Sequence, residues 1–419
     1  MVMEPLIVVA LVILLFGAIS RRAERSPLTP PMFFIAAGWL VSEHGLGLLH
    51  VDVSGSVIHT LAEITLVVVL FTDASRIDLA CLRREESLPL RLLGVGMPLT
   101  ILIGTAAGIA LLPGFSWVEL ALVAAILAPT DAALGQAVVS NPLVPLRIRQ
   151  SLNVESGLND GIALPIVLFL AAMAGATGGE NSASHWLRTA ALAVTLGPAV
   201  GVAVGWAGGL WLERGVASGW VNIPFERLSS LGLAFLAFSG AEFIGGNGFI
   251  AAFVAGLTLG NVGKNVCETL HEFGETEGQL LTLLVFLVFG AVMVPSALAQ
   301  VSVSTLVYAL LSLTMVRMIP VALSLLGTGL GTPSVAFLGW FGPRGLASIL
   351  FALVVVEEGR LASGPQLEGV VVLTVLLSAI LHGATAYPFA RRYGAHAEEG
   401  ERRELAKETI DLPVRVRHS

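Results

Sequence analysis

Charge is what this sequence has least of. Of its 419 residues only 13% are Asp, Glu, Lys or Arg, while 55% are hydrophobic. Soluble domains carry about 25% charged residues. A chain so poor in charge cannot cover a water-facing globule, and its long apolar runs make it a polytopic membrane protein. Cysteine is scarce as well. Cys81 and Cys267 fall in different loops, so no disulfide framework is expected. The eight histidines are scattered and form no metal-ligand pattern. No Gly-Lys-Ser/Thr phosphate loop is present, and no GxGxxG opens a soluble βαβ unit, so ATP-driven transport has no support.

Apolar runs long enough to cross a bilayer can be placed at about 5–20, 28–48, 57–75, 88–112, 117–139, 151–175, 186–212, 227–244, 247–261, 278–297, 303–326, 334–356 and 367–390, which predicts about thirteen transmembrane helices. The first run is not read as a signal peptide, because Arg21, Arg22 and Arg25 follow it rather than precede it. Loops after odd-numbered spans hold Arg76, Arg83, Arg84, Arg91, Arg147, Arg149, Arg214, Arg227 and Lys264. Loops after even-numbered spans hold Arg188 and Arg360. By the positive-inside rule the N-terminus is outside and the charged tail, residues 394–419, is cytoplasmic. Twelve or fourteen spans would break this alternation.

The charges that do occur stand where the membrane is. Residues 150–165 read Gln-Ser-Leu-Asn-Val-Glu-Ser-Gly-Leu-Asn-Asp-Gly-Ile-Ala-Leu-Pro and put Glu155, Asn159 and Asp160 inside span six. Ala128-Pro129-Thr130-Asp131 puts an acid inside span five. Arg317 lies in span eleven and Arg344 in span twelve. Ionisable residues at such depth are costly and mark ion or proton pathways. Counted from the cytoplasmic ends, Asp131, Asp160, Arg317 and Arg344 all lie about 12–15 Å deep, with Glu155 about 7 Å shallower. One common depth predicts one buried site.

Three acids against two arginines leave one acid without a permanent partner, because Arg stays protonated. Asp160 is assigned that role and is the expected exchange site for a proton or a cation. Ser156, at i−4 on the same helical face, can offer its hydroxyl to a hard cation. Asn159 is polar but cannot titrate. The favoured ion pairs are Asp131–Arg344 and Glu155–Arg317. A second reading has Pro129 and Pro343 interrupt their helices, with Asp131 offsetting N-terminal helix dipoles and Arg344 offsetting C-terminal ones. A purely structural pairing role for Glu155, Arg317 and Arg344 fits equally well. Glu63 reads as an interface or pathway residue, Asp73 as a solvated helix end, and Glu242 as an interface or lipid-headgroup residue.

Spans five and twelve share a pattern. Ala128-Pro129-Thr130-Asp131-Ala132-Ala133-Leu134 and Gly342-Pro343-Arg344-Gly345-Leu346-Ala347-Ser348 each set a Pro and then a charge in mid-span. Their offset of seven spans reverses helix direction, as in inverted-repeat secondary transporters with broken helices.

On Pro129-Thr130-Asp131, Glu155-Ser156-Gly157-Leu158-Asn159-Asp160, Gly342-Pro343-Arg344-Gly345 and Arg317, the chain resembles the monovalent cation/proton antiporters, in particular the NhaP-like sodium/proton exchangers. The resemblance implies a homodimer in the plasma or inner cell membrane. It implies a dimerisation domain at 1–87 and 176–300 (spans 1–3 and 7–10). An ion-transporting core would lie at 88–175 and 301–393 (spans 4–6 and 11–13), with spans five and twelve unwound and crossing. It implies cation ligation by Asp160, Ser156 and the Thr130 backbone region, with Asp131 and Glu155 close by. Asn159 stands where electrogenic relatives carry Asp, which implies electroneutral exchange of Na+ or Li+ for H+. K+/H+ exchange at the same site is the alternative, and a cation channel is a more distant one. The chain is expected to be no enzyme, to need no cofactor and to bind no nucleic acid.

Overall fold

Backbone N–H and C=O groups in lipid must be satisfied within the chain, so apolar segments of this length become helices. The computed structural model describes residues 5–23, 26–48, 56–79, 88–176, 183–263, 278–357, 361 and 363–397. Cys81, Cys267, Arg25, Arg83, Arg84, Lys264, Arg360 and residues 398–419 of the tail lie outside the described residues.

The helices are α1 (Pro5–Ala23), α2 (Pro30–Val41), α3 (Ser56–Ser75), α4 (Leu88–Leu111), α5 (Trp117–Ile126), α6 (Ala132–Val139), α7 (Leu146–Ala176), α8 (Ala183–Ala217), α9 (Ile223–Phe243), α10 (Gly248–Val262), α11 (Gln279–Ala299), α12 (Val303–Ser324), α13 (Thr332–Trp340), α14 (Leu346–Glu357) and α15 (Gly364–Ala397). Among the described residues, seven helices are long and apolar enough to cross a membrane: α1, α4, α7, α8, α11, α12 and α15. Helices α2, α5, α10 and α14 are apolar but shorter. The chain is an all-α polytopic membrane protein.

Prolines shape several of these helices. Pro98 and Pro295 lack the N–H that would close the ladder on Gly94 and Ala291. Each is preceded by a π turn, at Leu92–Gly96 in α4 and Phe289–Met293 in α11, where the hydrogen-bond spacing widens. In α12 the helix is interrupted at Thr314 (φ −113°, ψ −95°), and Arg317 follows within a turn.

Packing divides the chain into two units. The first takes the described residues within Met1–Leu61, Ser87–Ser156 and Thr282–Ile410. A buried core within it joins Leu88 and Leu92 of α4, Val138 of α6, Ile148 and Leu152 of α7, Val321 of α12, Phe337 of α13 and Tyr393 of α15. The Tyr393 ring stacks on Phe337 at 4.3 Å, and its hydroxyl shares a 2.8 Å hydrogen bond with Ser334. In the same unit α2 and α11 notch each other. A Cβ at Gly38 would meet the Leu287 carbonyl, and one at Gly290 would meet that of Ile35.

The second unit takes the described residues within Ala62–Glu86 and Gly157–Leu281. Its main contact is α8 against α10. Gly197, Gly201, Gly205 and Gly209 recur every four residues, and this stripe lets two backbones approach closely. A Cβ at Gly197 would lie 3.0 Å from the Asn247 carbonyl oxygen, and one at Gly201 would lie 2.6 Å from that of Ala251. Gly201→Leu is therefore expected to cost about 1–3 kcal/mol by overpacking. Thermal unfolding in detergent checks this, with Gly232→Leu as the control, since open space surrounds a Cβ at Gly232. Equal melting temperatures for the two variants would remove the stripe's role.

Candidate functional site: two broken helices back to back

Helix α5 begins with a capping box: Ser116 N–H donates to Glu119 Oε2 (2.8 Å) and Glu119 N–H to Ser116 Oγ (3.3 Å). It stops at Ile126, three residues before Pro129, because proline removes an amide donor and disfavours helix at the residue preceding it. Asp131 then takes an extended conformation (φ −104°, ψ 121°) and caps α6, its Oδ1 accepting from Leu134 N–H at 3.0 Å. The same event recurs around Pro343. Helix α13 ends at Trp340 and α14 starts at Leu346. Between them runs Phe341-Gly342-Pro343-Arg344-Gly345.

Each break frees backbone groups that must find partners once buried. The two breaks lie against each other and supply many of them. Asp131 N–H donates to the Pro343 carbonyl at 2.8 Å. Leu346 N–H donates to Asp131 Oδ2. Arg344 Nη1 donates to the carbonyls of Ala128 (2.7 Å) and Pro129 (3.2 Å). Ser348 Oγ donates to Ile126 O, and Ser156 Oγ to Thr130 O, both at 2.7 Å. One carboxylate thus sits at the positive ends of two helices, α6 and α14, and one guanidinium sits at the negative end of α5. Gly345 is required here, since a Cβ would run into the Asp131 carboxylate.

The arrangement corrects one favoured pairing. Asp131 and Arg344 form no ion pair. Both act on helix ends instead, which is the second sequence reading. The other pairing is present. Arg317 holds Glu155 through two parallel hydrogen bonds, Nη1 to Oε1 at 2.5 Å and Nη2 to Oε2 at 2.8 Å, with both side chains buried. This bidentate form is the strong geometry for an arginine and a carboxylate.

Helix α7 runs unbroken through Glu155, Ser156, Asn159 and Asp160, and all four are buried. Asp160 stands one turn beyond Ser156. It is 9% exposed, against 7% for Asp131, 2% for Glu155 and Arg317, and 0% for Arg344, so it is the most accessible of the five charges. Thr130 contributes its carbonyl to the Ser156 hydroxyl. Glu63 is on the exposed side of α3 and Asp73 is half-buried. Glu242 has a structural task that the sequence did not reveal: its Oε1 accepts from Gly248 N–H at 2.7 Å and, with Asn247, caps α10. Sequence reasoning also missed Ser348, Ser378 and His382. Their only signal was polarity in the middle of apolar spans.

Facing helix breaks stitched by buried charges, in a chain of membrane-length helices, define a polytopic membrane protein with a polar centre of the secondary-transporter kind. The chain belongs to the sodium/hydrogen exchanger family: the family described as "Sodium/hydrogen exchanger, transmembrane" matches residues 9–392. That is a family of transporters, not enzymes. The chain is 28% identical over 375 residues to the K(+)/H(+) antiporter NhaP2 of Shewanella oneidensis, a match covering 89% of this chain and 64% of that protein. It is 26% identical over 371 residues to the K(+)/H(+) antiporter NhaP of Alkalimonas amylolytica, covering 86% and 62%. The chain therefore spans less than two thirds of the length of these relatives. Among solved structures, the sodium proton antiporter MjNhaP1 from Methanocaldococcus jannaschii at pH 8 superposes with a TM-score of 0.76. That match covers 94% of this chain and 100% of the other. At 20% identity this likeness shows the fold.

Proposed function

We propose that this protein is a secondary antiporter that exchanges a monovalent cation, Na+ or Li+, for H+ without moving net charge. The observation that carries the reading is the pair of abutting helix breaks, with Asp131 on two helix N-termini and Arg344 on exposed carbonyls. Broken helices at mid-membrane are where secondary transporters bind ions. Asp160, Ser156 and the Thr130 carbonyl supply a carboxylate, a hydroxyl and a backbone oxygen, the hard oxygen donors a monovalent cation requires. Asp131, Asn159 and Glu155 are second-rank members of the site, with Arg317 and Arg344 holding its frame.

Proton and cation compete for the Asp160 carboxylate from alternate sides of the membrane. Once either neutralises it, the core at 88–175 and 301–393 moves against a dimerisation domain at 1–87 and 176–300. A bare carboxylate resists crossing the apolar barrier, which suppresses leak. The architecture for this cycle is thirteen spans. The α5/α6 and α13/α14 pairs form the fifth and twelfth, unwound and crossing. The N-terminus is outside, the C-terminus cytoplasmic, and two copies form a dimer in the plasma or inner membrane. The ions are cargo, and no cofactor takes part.

K+ is the alternative cargo, and the names of the Shewanella and Alkalimonas relatives favour it. Proton movement in proteoliposomes of the purified protein, challenged in turn with Na+, Li+ and K+, decides between them. Absence of any cation-driven proton movement, with conductance instead, would make the protein a channel. Coupling gives a second expected result. With one titrating carboxylate and Asn159 beside it, the exchange rate should not respond to an imposed membrane potential. A clear voltage dependence would require a second titrating group, and Glu63 and Asp131 are the first to examine.

A further inference from the structure

The second break is gripped from a third element. On α15, Ser378, His382 and Thr385 stand at i, i+4 and i+7 and so share one helical face. Trp340, the last residue of α13, donates from Nε1 to Thr385 Oγ1 at 2.9 Å, and its ring lies 5.1 Å from that of His382. Arg344 N–H, inside the break, donates to Ser378 Oγ at 2.7 Å. His382 Nδ1 lies 3.1 Å from that same hydroxyl and 3.0 Å from the Ser378 carbonyl oxygen. Ser378 and His382 are buried to 0% and 1% exposure.

We infer that this face of α15 is a clamp for the break, and that His382, acting through the Ser378 hydroxyl, is a positioning residue for ion exchange. The inference rests on the exchange reading. Ser378 Oγ accepts from Arg344 N–H, and His382 Nδ1 lies against both that hydroxyl and the Ser378 carbonyl, so the ring holds the hydroxyl in place under the break. Thr385 completes the clamp in the same manner, accepting from Trp340 and donating to the Leu381 carbonyl at 2.7 Å. The segment so held delivers the Arg344 guanidinium to the carbonyls of Ala128 and Pro129, and Leu346 N–H to Asp131. A buried histidine in a membrane helix is costly enough to require a task, and this is the task assigned.

Exchange rates in proteoliposomes and thermal unfolding in detergent test the clamp. Ser378→Ala and His382→Phe should each lower the maximal rate about tenfold, the equivalent of one buried hydrogen bond. The half-saturating cation concentration should stay unchanged, because the Thr130–Ser156 side is untouched. Ser378→Thr keeps the hydroxyl and His382→Gln keeps a hydrogen-bonding group beside it, and both should recover most of the rate. The double variant Ser378→Ala/His382→Phe should also lose about tenfold, since both changes cut one link. A loss of about a hundredfold in the double variant, unchanged rates in the singles, or no recovery with Thr and Gln would overturn the clamp. Failure of the wild-type protein to move protons on cation addition would sink the exchange reading instead. The unfolding data then still judge the clamp: losses in melting temperature that do not add support it, and additive losses refute it.

Discussion

Asp160→Asn is expected to abolish exchange and leave the protein folded. The amide keeps the size and polarity of the carboxylate but cannot trade a proton for a cation, so both half-cycles stop. Folding should survive because the frame of the site lies elsewhere. Glu155 is held by Arg317, and Asp131 is held by the N–H groups of Leu134 and Leu346. The substitution is isosteric and leaves those contacts in place, so the melting temperature in detergent should stay close to that of the wild type. Glu155→Gln gives the contrast, since it strands a buried guanidinium and should lower melting along with rate. Rates of cation-driven proton movement, paired with unfolding curves on the same preparations, make the comparison. Robust exchange by purified Asp160→Asn would take this residue out of the central role and move attention to Asp131 and Glu63.

One buried ion pair was legible in the sequence, and the direction of the other charges around each helix was not. Glu155 and Arg317 were paired as the buried charges of spans six and eleven, and the structure joins them. The same charge count paired Asp131 with Arg344 and failed, for a physical reason. An arginine offers five N–H donors and accepts no proton in return, so a row of freed carbonyls satisfies it as readily as a carboxylate does. Those carbonyls at Ala128 and Pro129 exist only because the helix stops, and no residue type announces them. Pro129 and Pro343 did announce the stops. Ser348 and Ser378 looked like small residues of apolar spans, yet each closes a hydrogen bond at a break. The cap made by Glu242 was not legible because it depends on the chain doubling back through Gly245, at φ +80°, to bring Gly248 N–H within reach. Helix α15 runs on to Ala397, beyond the apolar run ending near 390, because hydropathy marks where the membrane ends and not where the helix does.

The two arginines should part company when each is removed. Arg317→Ala strands the Glu155 carboxylate in a buried place, which typically costs about 3–5 kcal/mol. Adding Glu155→Gln removes the stranded charge, so the double variant should recover much of the lost melting temperature. Arg344→Ala strands no carboxylate. It leaves the carbonyls of Ala128 and Pro129 without their donor, at about 1–3 kcal/mol for each buried group left unsatisfied. Glu155→Gln should therefore not rescue it. Asp131→Asn should make it worse, because both Asp131 oxygens accept backbone N–H groups, and an amide can accept on only one side. The order of melting temperatures is thus fixed: Arg317→Ala/Glu155→Gln above Arg317→Ala, and Arg344→Ala/Asp131→Asn below Arg344→Ala. If Asp131→Asn instead raises the melting temperature of Arg344→Ala, the two residues interact as charges after all. The guanidinium would then serve the carboxylate first and the helix end second, and the break at Pro129 would need another source of stability.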